Sequence, residues 1–296
     1  MNSPDNHPAR LRTGVIGPGR AGVALARALA SAGHEVVATT PASQQSMDRI
    51  LASFPAIEVT EPAGVLEASD LVLVTVPDDV LPGLISGLAA TDAPYAGRLI
   101  AHASGRYGTG VLEPATRQGA LPLALHPVMT FTGRDDDTER MKDVSFGVTA
   151  PEQLRPVAEA LVIEMGGEPV FIAEDQRALY HAALAGAANH LVTLVAESAD
   201  LLGQAGVPNP SRMLGPLLSA ALDNALRFGD AGLTGPVARG DAGTVARHIE
   251  ALGEASTGAR AAYLSLARLT AERALAAGLL KPEDAERLLD VLGGAA

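Results

Sequence analysis

The spacing of apolar positions changes character once along the chain. In the first part, short apolar runs alternate with stretches of helical periodicity. Gly14-Val15-Ile16 and Glu35-Val36-Val37-Ala38-Thr39 read as strands, and Gly22–Ala32 between them as an Ala- and Leu-rich helix stopped by Gly33. Leu71–Val76 is an uninterrupted apolar run ended by Pro77, the pattern of a strand buried on both faces of a parallel sheet. Arg98–His102, Ser145–Thr149 and Pro169–Ile172 are further strand candidates, with a helix over Pro151–Met165 before Gly166-Gly167. Alternating strands and helices imply right-handed crossovers and a doubly wound, Rossmann-type parallel α/β sheet.

From Glu174 onward helix follows helix: about Glu174–Leu202, Ser211–Phe228, Gly243–Ala251, Ser256–Ala277 and Pro282–Leu292. Gly206-Val207-Pro208, Gly229 and Gly278 separate them. The organisation predicted is a flexible tail over 1–11, a dinucleotide-binding Rossmann-like domain over 12–173, and an all-α domain over 174–296 for substrate and dimerisation.

Composition narrows the possible chemistry. The 296 residues include 34 acidic and 22 basic side chains, a net charge of −12, with 47% hydrophobic residues and no cysteine. Disulfide scaffolds, zinc-thiolate sites and cysteine catalysis are excluded. So acidic a chain is not expected to bind nucleic acid or anionic membranes, although a small anion can still find a locally positive pocket. The polar stretch Met1–Leu11 has no signal-peptide core, and the apolar region Ala178–Val195 is interrupted by His181, Asn189, His190 and Thr193. The expectation is a soluble cytoplasmic protein without a membrane span. Asp135-Asp136-Asp137 reads as a solvated turn, and no metal is expected.

Gly17-Pro18-Gly19-Arg20-Ala21-Gly22 matches G-x-G-x-x-G between the first strand and the first helix. Gly17 makes the tight turn, Gly19 admits a pyrophosphate against the backbone, and Gly22 lets helix and strand pack closely. An NAD site would carry an acid near the end of the second strand to hold the ribose 2′-hydroxyl. The stretch here is Ala38-Thr39-Thr40-Pro41, without one. Hydroxyls of Thr39 and Thr40 could bond a 2′-phosphate, and Arg20 could supply its countercharge, so NADP(H) is the cofactor expected.

These segments carry a resemblance. Gly14–Gly19 and Ser69–Asp78, with its Val76-Pro77-Asp78 ending, are similar to the 6-phosphogluconate-dehydrogenase-like superfamily over nearly the whole chain. His102-Ala103-Ser104-Gly105, Leu125-His126-Pro127, Ala187–Leu191 and Leu233–Asp241 resemble a narrower group within it. That group comprises Rossmann-like proteins with a helical C-terminal domain of unknown function, akin to ketopantoate reductases. The resemblance implies a nicotinamide lying near Val76, Pro77 and His102–Ser104, and a homodimer formed through the helical domain.

Around that point Ser104 would either bond the carboxamide or substrate, or close a turn. His126 would donate a proton or hold a carboxylate, as the His-Pro segment of prephenate dehydrogenases suggests. Asn189 lies where ketopantoate reductases and β-hydroxyacid dehydrogenases place a Lys and an Asn, yet no lysine occurs between Lys142 and Lys281. His181 is the nearest substitute. In the Gly-rich segment Thr234–Asp241, Thr234 and Arg239 could anchor a substrate carboxylate, while Asp241 suits a helix N-cap and His248 faces either a cleft or solvent. The reading is an NADP-dependent oxidoreductase of the CH–OH class reducing a small 2-oxo acid, with ketopantoate first. A prephenate-like hydroxy-acid dehydrogenase, an imine reductase and a non-catalytic nucleotide sensor remain open.

Overall fold

The computed structural model describes residues 10–294. The predicted tail falls largely outside them, but Arg10 and Leu11 are held: Arg10 pairs with Glu164 at 3.1 Å, and the Leu11 amide donates to His34 Nδ1 at 3.0 Å. The elements in chain order are β1 (Arg12–Ile16), α1 (Arg20–Ser31), β2 (Glu35–Thr39), α2 (Gln44–Ser53), β3 (Glu58–Val59), α3 (Pro62–Ala68), β4 (Leu71–Val74), α4 (Leu81–Ala89), β5 (Leu99–His102), α5 (Glu113–Thr116), β6 (Leu121–Pro127), α6 (Asp137–Arg140), β7 (Ser145–Thr149), α7 (Arg155–Glu164), β8 (Glu168–Phe171), α8 (Arg177–Gln204), α9 (Pro210–Phe228), α10 (Ala242–Ala255), α11 (Thr257–Ala276) and α12 (Pro282–Gly294).

The strands form one eight-stranded sheet in the order β3-β2-β1-β4-β5-β6-β7-β8. The chain winds outward from β1 to β3 and then crosses back to β4. The switch point between β1 and β4 opens a crevice beyond their carboxyl ends, where doubly wound sheets bind ligands. Leu71, Val72, Leu73 and Val74 are all buried, which explains the uninterrupted apolar run of β4. Leu71 and Leu73 join Leu25, Leu29, Leu123 and Phe146 in one core. Val72 and Val74 join Ile16, Leu81, Ile85 and Ile100 in the core on the other face.

The sheet departs from the parallel pattern at one edge. β7 pairs antiparallel with β6, and β8 pairs parallel with β7. The return from β6 to β7 holds only the four-residue α6, so no full helical crossover forces the strands parallel. β6 also carries Pro122 and Pro127, residues that usually break strands. The loop before α6 corrects the solvated-turn expectation. Asp137 is buried and accepts hydrogen bonds from the Thr132 amide, the Thr132 hydroxyl and the Gly133 amide, which holds its carboxyl below the usual range even though burial itself opposes ionisation.

The chain divides into two compact units, one ending at Gly186 and the next beginning at Ala187. The seam falls within α8, later than the 173/174 change of pattern, because the first turn of that helix bonds to the sheet. In the second unit Val245, Ile249, Leu264, Leu288 and Leu292 of α10, α11 and α12 form a core. α8 and α9 present apolar side chains outward, among them Leu191, Val192, Leu217, Leu222 and Leu226, the last 79% exposed. Against the sequence expectation, Glu174–Gln204 is long and apolar enough to cross a membrane by length and composition, with mean hydropathy 1.2 in its best window. Its His, Asn and Thr interruptions are too few to offset the surrounding Ala, Leu and Val.

The turn after β5 is closed by His102, which is 1% exposed. The Ser104 amide donates to its Nδ1 at 3.2 Å, so the proton sits on Nε2 and is donated to the Gly108 carbonyl at 2.8 Å. Burial, with the Arg177 charge adding to it, pushes its pKa from 6.5 down to about 4. Between those values the unfolded chain takes up a proton that native His102 refuses, so stability is full above pH 6.5 and falls towards pH 4. Urea midpoints measured across this window should fall with pH for the wild type and less steeply for His102→Gln, which should also lose about 1–3 kcal/mol at neutral pH. An equal slope in the variant would assign the loss to another group.

Candidate functional site

The glycine turn sits at the switch point. Gly17 has φ +82° and donates its amide to Thr40 Oγ1 at 3.1 Å, while its carbonyl accepts from Thr75 Oγ1 at 2.6 Å. A Cβ at Gly17 would lie 2.8 Å from Val76 Cγ1, and one at Gly22 would lie 2.3 Å from Thr75 Oγ1. Glycine is required at both positions by packing. At Gly19 a Cβ would meet nothing closer than the Gly17 carbonyl at 4.0 Å, so this backbone faces open space. α1 begins beside it with no side-chain cap, leaving its first amides to an anion. This cradle fits a dinucleotide pyrophosphate. Pro18 is buried and Ala21 half-buried, and Val76, just after β4, packs beside Gly17.

The ribose end differs from the sequence reading. Thr39 is fully buried and donates to the Val15 carbonyl at 3.0 Å, and Thr40 supports Gly17. Both hydroxyls are engaged within the fold because β2 ends inside the sheet, not at its surface. Two arginine side chains instead flank Gly133: a Cβ there would lie 3.0 Å from Arg20 Cγ and 3.2 Å from Arg49 Nε. Neither arginine has a carboxylate partner among the described residues.

A second constellation lies past the carboxyl ends of β5 and β6. His126, half-buried in β6, places Nδ1 2.8 Å from Tyr180 Oη, with the two rings edge-on at 5.6 Å between centroids. His181 stands perpendicular to His126 at 6.0 Å. Gly105 admits both imidazoles: a Cβ there would lie 2.6 Å from His181 Cδ2 and 2.9 Å from His126 Nε2. Beneath them Arg177 is 1% exposed. It donates to Thr149 Oγ1 at 2.8 Å and to the carbonyls of Gly147, Ala124 and Ser104 at 3.0, 3.1 and 3.5 Å. All these acceptors are neutral, and among the described residues Arg177 has no salt bridge; Glu174 acts on its charge only at longer range. Burial first, and the Arg177 charge second, bring the His126 pKa down from 6.5 to about 4, so its imidazole is neutral at pH 7.

The other sequence candidates have their own local surroundings. Ser104 is buried and its hydroxyl accepts from the amides of Arg106 and Tyr107 at 3.2 and 3.3 Å, which is the turn-closing arrangement. Asn189 is an exposed residue of the second unit. In that unit Arg239 folds back onto the Thr234 carbonyl, Asp241 caps α10 by accepting from the Thr244 amide at 3.0 Å, and His248 is exposed and bonds Tyr263 Oη at 3.1 Å. Arg49, Arg177 and Tyr180 were not singled out in the sequence. Arg49 sits in an ordinary amphipathic helix. Arg177 and Tyr180 share one face of α8 by their i,i+3 spacing, a pattern shared with many solvated helix faces.

Comparison with known proteins agrees with this architecture. Residues 1–127 match the Rossmann-like domain, and residues 144–270 match DUF2520, a domain of unknown function. No curated protein matches significantly. Among solved structures, a Bacteroides fragilis protein assigned as an NADP oxidoreductase superposes with TM-score 0.70 at 22% identity, covering 89% of this chain and 98% of its own. An imine reductase from Pseudomonas sp. gives 0.64 at 19% identity, covering 96% and 100%. A reductive aminase from Aspergillus terreus, bound to NADPH4, cyclohexanone and allyl amine, gives 0.63 at 18% identity, covering 95% and 99%. At such identities the likeness is one of fold. The two matched segments together span most of the chain, the first similar to Rossmann-like domains and the second to DUF2520.

Proposed function

We propose that this chain is an NADPH-dependent oxidoreductase that reduces a C=O or C=N bond of a small molecule. The observation that carries the reading is the His126–Tyr180–His181 cluster, held in the same unit as a glycine turn shaped for a dinucleotide. When bound, the cofactor would supply the hydride. Gly17, Gly19 and the first turn of α1 would hold its pyrophosphate, and Arg20 with Arg49 would meet the charge of a 2′-phosphate. His126 would donate the proton, a task the missing lysine performs in ketopantoate reductases. Ketopantoate is the first substrate to test. A cyclic imine is the second reading, favoured by the imine reductase and reductive aminase among the fold relatives.

The same proposal includes a second copy of the chain. α9 makes its main contacts only with the short turn that follows it, and apolar residues of α8 and α9 stand exposed along both helices. Burying each such side chain would stabilise association by about 1.5–3 kcal/mol. A homodimer through these helices covers them without requiring a lipid phase.

Purified protein should oxidise NADPH with ketopantoate or 2-methyl-1-pyrroline, and His126→Asn should lower kcat about 10²- to 10⁴-fold with NADPH affinity kept. Failure of both substrates in the presence of bound NADPH would remove the substrate assignment. Joint replacement Arg20→Ala and Arg49→Ala should weaken NADPH binding about 10- to 100-fold and leave NADH binding unaltered, as read by cofactor fluorescence. Equal losses for both cofactors would argue against a 2′-phosphate site. Light scattering should give twice the 30.2 kDa chain mass, and Leu217→Glu with Leu226→Glu should reduce it to one chain. A wild-type monomer at micromolar concentration would remove the dimer.

A further inference from the structure

His126 carries only one ring proton when neutral, and its hydrogen bond decides which nitrogen holds it. Nδ1 faces Tyr180 Oη at 2.8 Å. The Tyr180 oxygen lies over Gly147, 2.2 Å from where a Cβ there would stand, and the Gly147 backbone favours its ionised form. A phenol so placed presents its own proton to His126 Nδ1. The His126 proton then belongs on Nε2, the atom on the Gly105 side, close to His181.

Arg177 completes the arrangement. Its guanidinium carbon lies 5.6 Å from the Tyr180 ring centroid, and it has no salt-bridge partner among the described residues. A buried cation here disfavours a positive imidazolium and favours a negative phenolate. The charges facing His126 are Arg177, His181 and His102, which oppose its protonation, and Asp78, which favours it.

We propose that Tyr180 is a proton-relay residue behind His126, with Arg177 holding the tyrosinate that the relay produces. The proposal rests on the reductase reading above. As a carbonyl carbon gains hydride, its oxygen takes the proton from His126 Nε2. The Nε2–H bond breaks and an O–H bond of the product alcohol forms. In the same step the Tyr180 O–H bond breaks and Nδ1 gains that proton. His126 remains neutral as the Nδ1–H tautomer, and the negative charge moves from the nascent alkoxide to Tyr180. The direction is downhill because an alkoxide is a far stronger base than a phenolate; burial raises the Tyr180 pKa above the ordinary tyrosine value, and the Arg177 charge works against that rise. Solvent then returns a proton to the site. Neutral imidazole is thereby a competent acid without first becoming imidazolium. Tyr180 acts through His126 and not on the substrate itself.

Nitrogen-15 NMR of the histidine rings tests the hydrogen bond without any substrate. Wild-type His126 should be the Nε2–H tautomer, and Tyr180→Phe should shift it towards Nδ1–H. An Nδ1–H wild type, or a tautomer indifferent to the substitution, overturns the relay. With an active substrate, single-turnover rates of the wild type in H2O/D2O mixtures should give a curved proton inventory, since two protons move together. A linear inventory overturns it, and this reading does not depend on whether the variant folds. Tyr180→Phe should lower kcat about 10²-fold with KM and NADPH affinity nearly unchanged, and a loss below about threefold refutes the relay. A wild type that binds NADPH but reduces neither ketopantoate nor 2-methyl-1-pyrroline counts against the proposed activity. The tautomer measurement then decides the relay by itself.

Discussion

A single guanidinium organises the region on which the chemistry depends. Moving an arginine out of water costs several kcal/mol, and among the described residues Arg177 has no salt bridge to offset that cost, only the longer-range charge of Glu174. Its stabilisation comes from three carbonyls and a hydroxyl drawn from β6, β7 and the turn after β5. Those acceptors exist together only because β7 turns back antiparallel against β6. The reversed edge of the sheet thus has a chemical consequence. It gathers carbonyls into a cage for the cation that begins α8 and sets Tyr180 against His126. The positive charge also keeps the nearby imidazoles neutral, adding to the effect of their burial.

The crevice at the β1–β4 switch point shows the same economy of backbone and small side chains. Thr40 and Thr75 clamp Gly17 from both strands, and Gly22 makes room for the Thr75 hydroxyl. Only the Gly19 backbone and the first amides of α1 are left open to a ligand. Of the hydroxyls that looked suited to a 2′-phosphate, Thr40's holds Gly17 and Thr39's bonds the Val15 carbonyl, while the side chains of Arg20 and of Arg49 on α2 lie beside Gly133.

Asn189, Arg239 and Thr234 illustrate what a single chain supports. Each belongs to the second unit, where apolar side chains of α8 and α9 stand outward and Arg239 folds onto its own loop. Exposed Leu and Val along a helix form an apolar patch of the kind that marks an interaction surface. The apolar composition of these helices was visible beforehand; that they lack cover within one chain was not.

Local pattern alone was enough to find the alternation of β and α, the fully apolar β4, the glycine turn, the capping by Asp241 and the all-helical second part. Each depends on periodicity or on backbone chemistry within a few residues. The antiparallel β7, the proline-bearing β6, the buried Asp137, and the meeting of Arg177, Tyr180, His126 and His181 depend on groups far apart in the chain. Tyr180 and His126 are 54 residues apart, and Arg177 reaches 53 residues back to the Ala124 carbonyl. The sequence by itself determined the alternating strand-and-helix first part, the helical second part and the glycine turn between β1 and α1, because those follow from local geometry. Only the tertiary structure decided which histidine gained a tyrosine and a buried cation as neighbours, because burial, and the pKa shifts it causes, are properties of the packed chain.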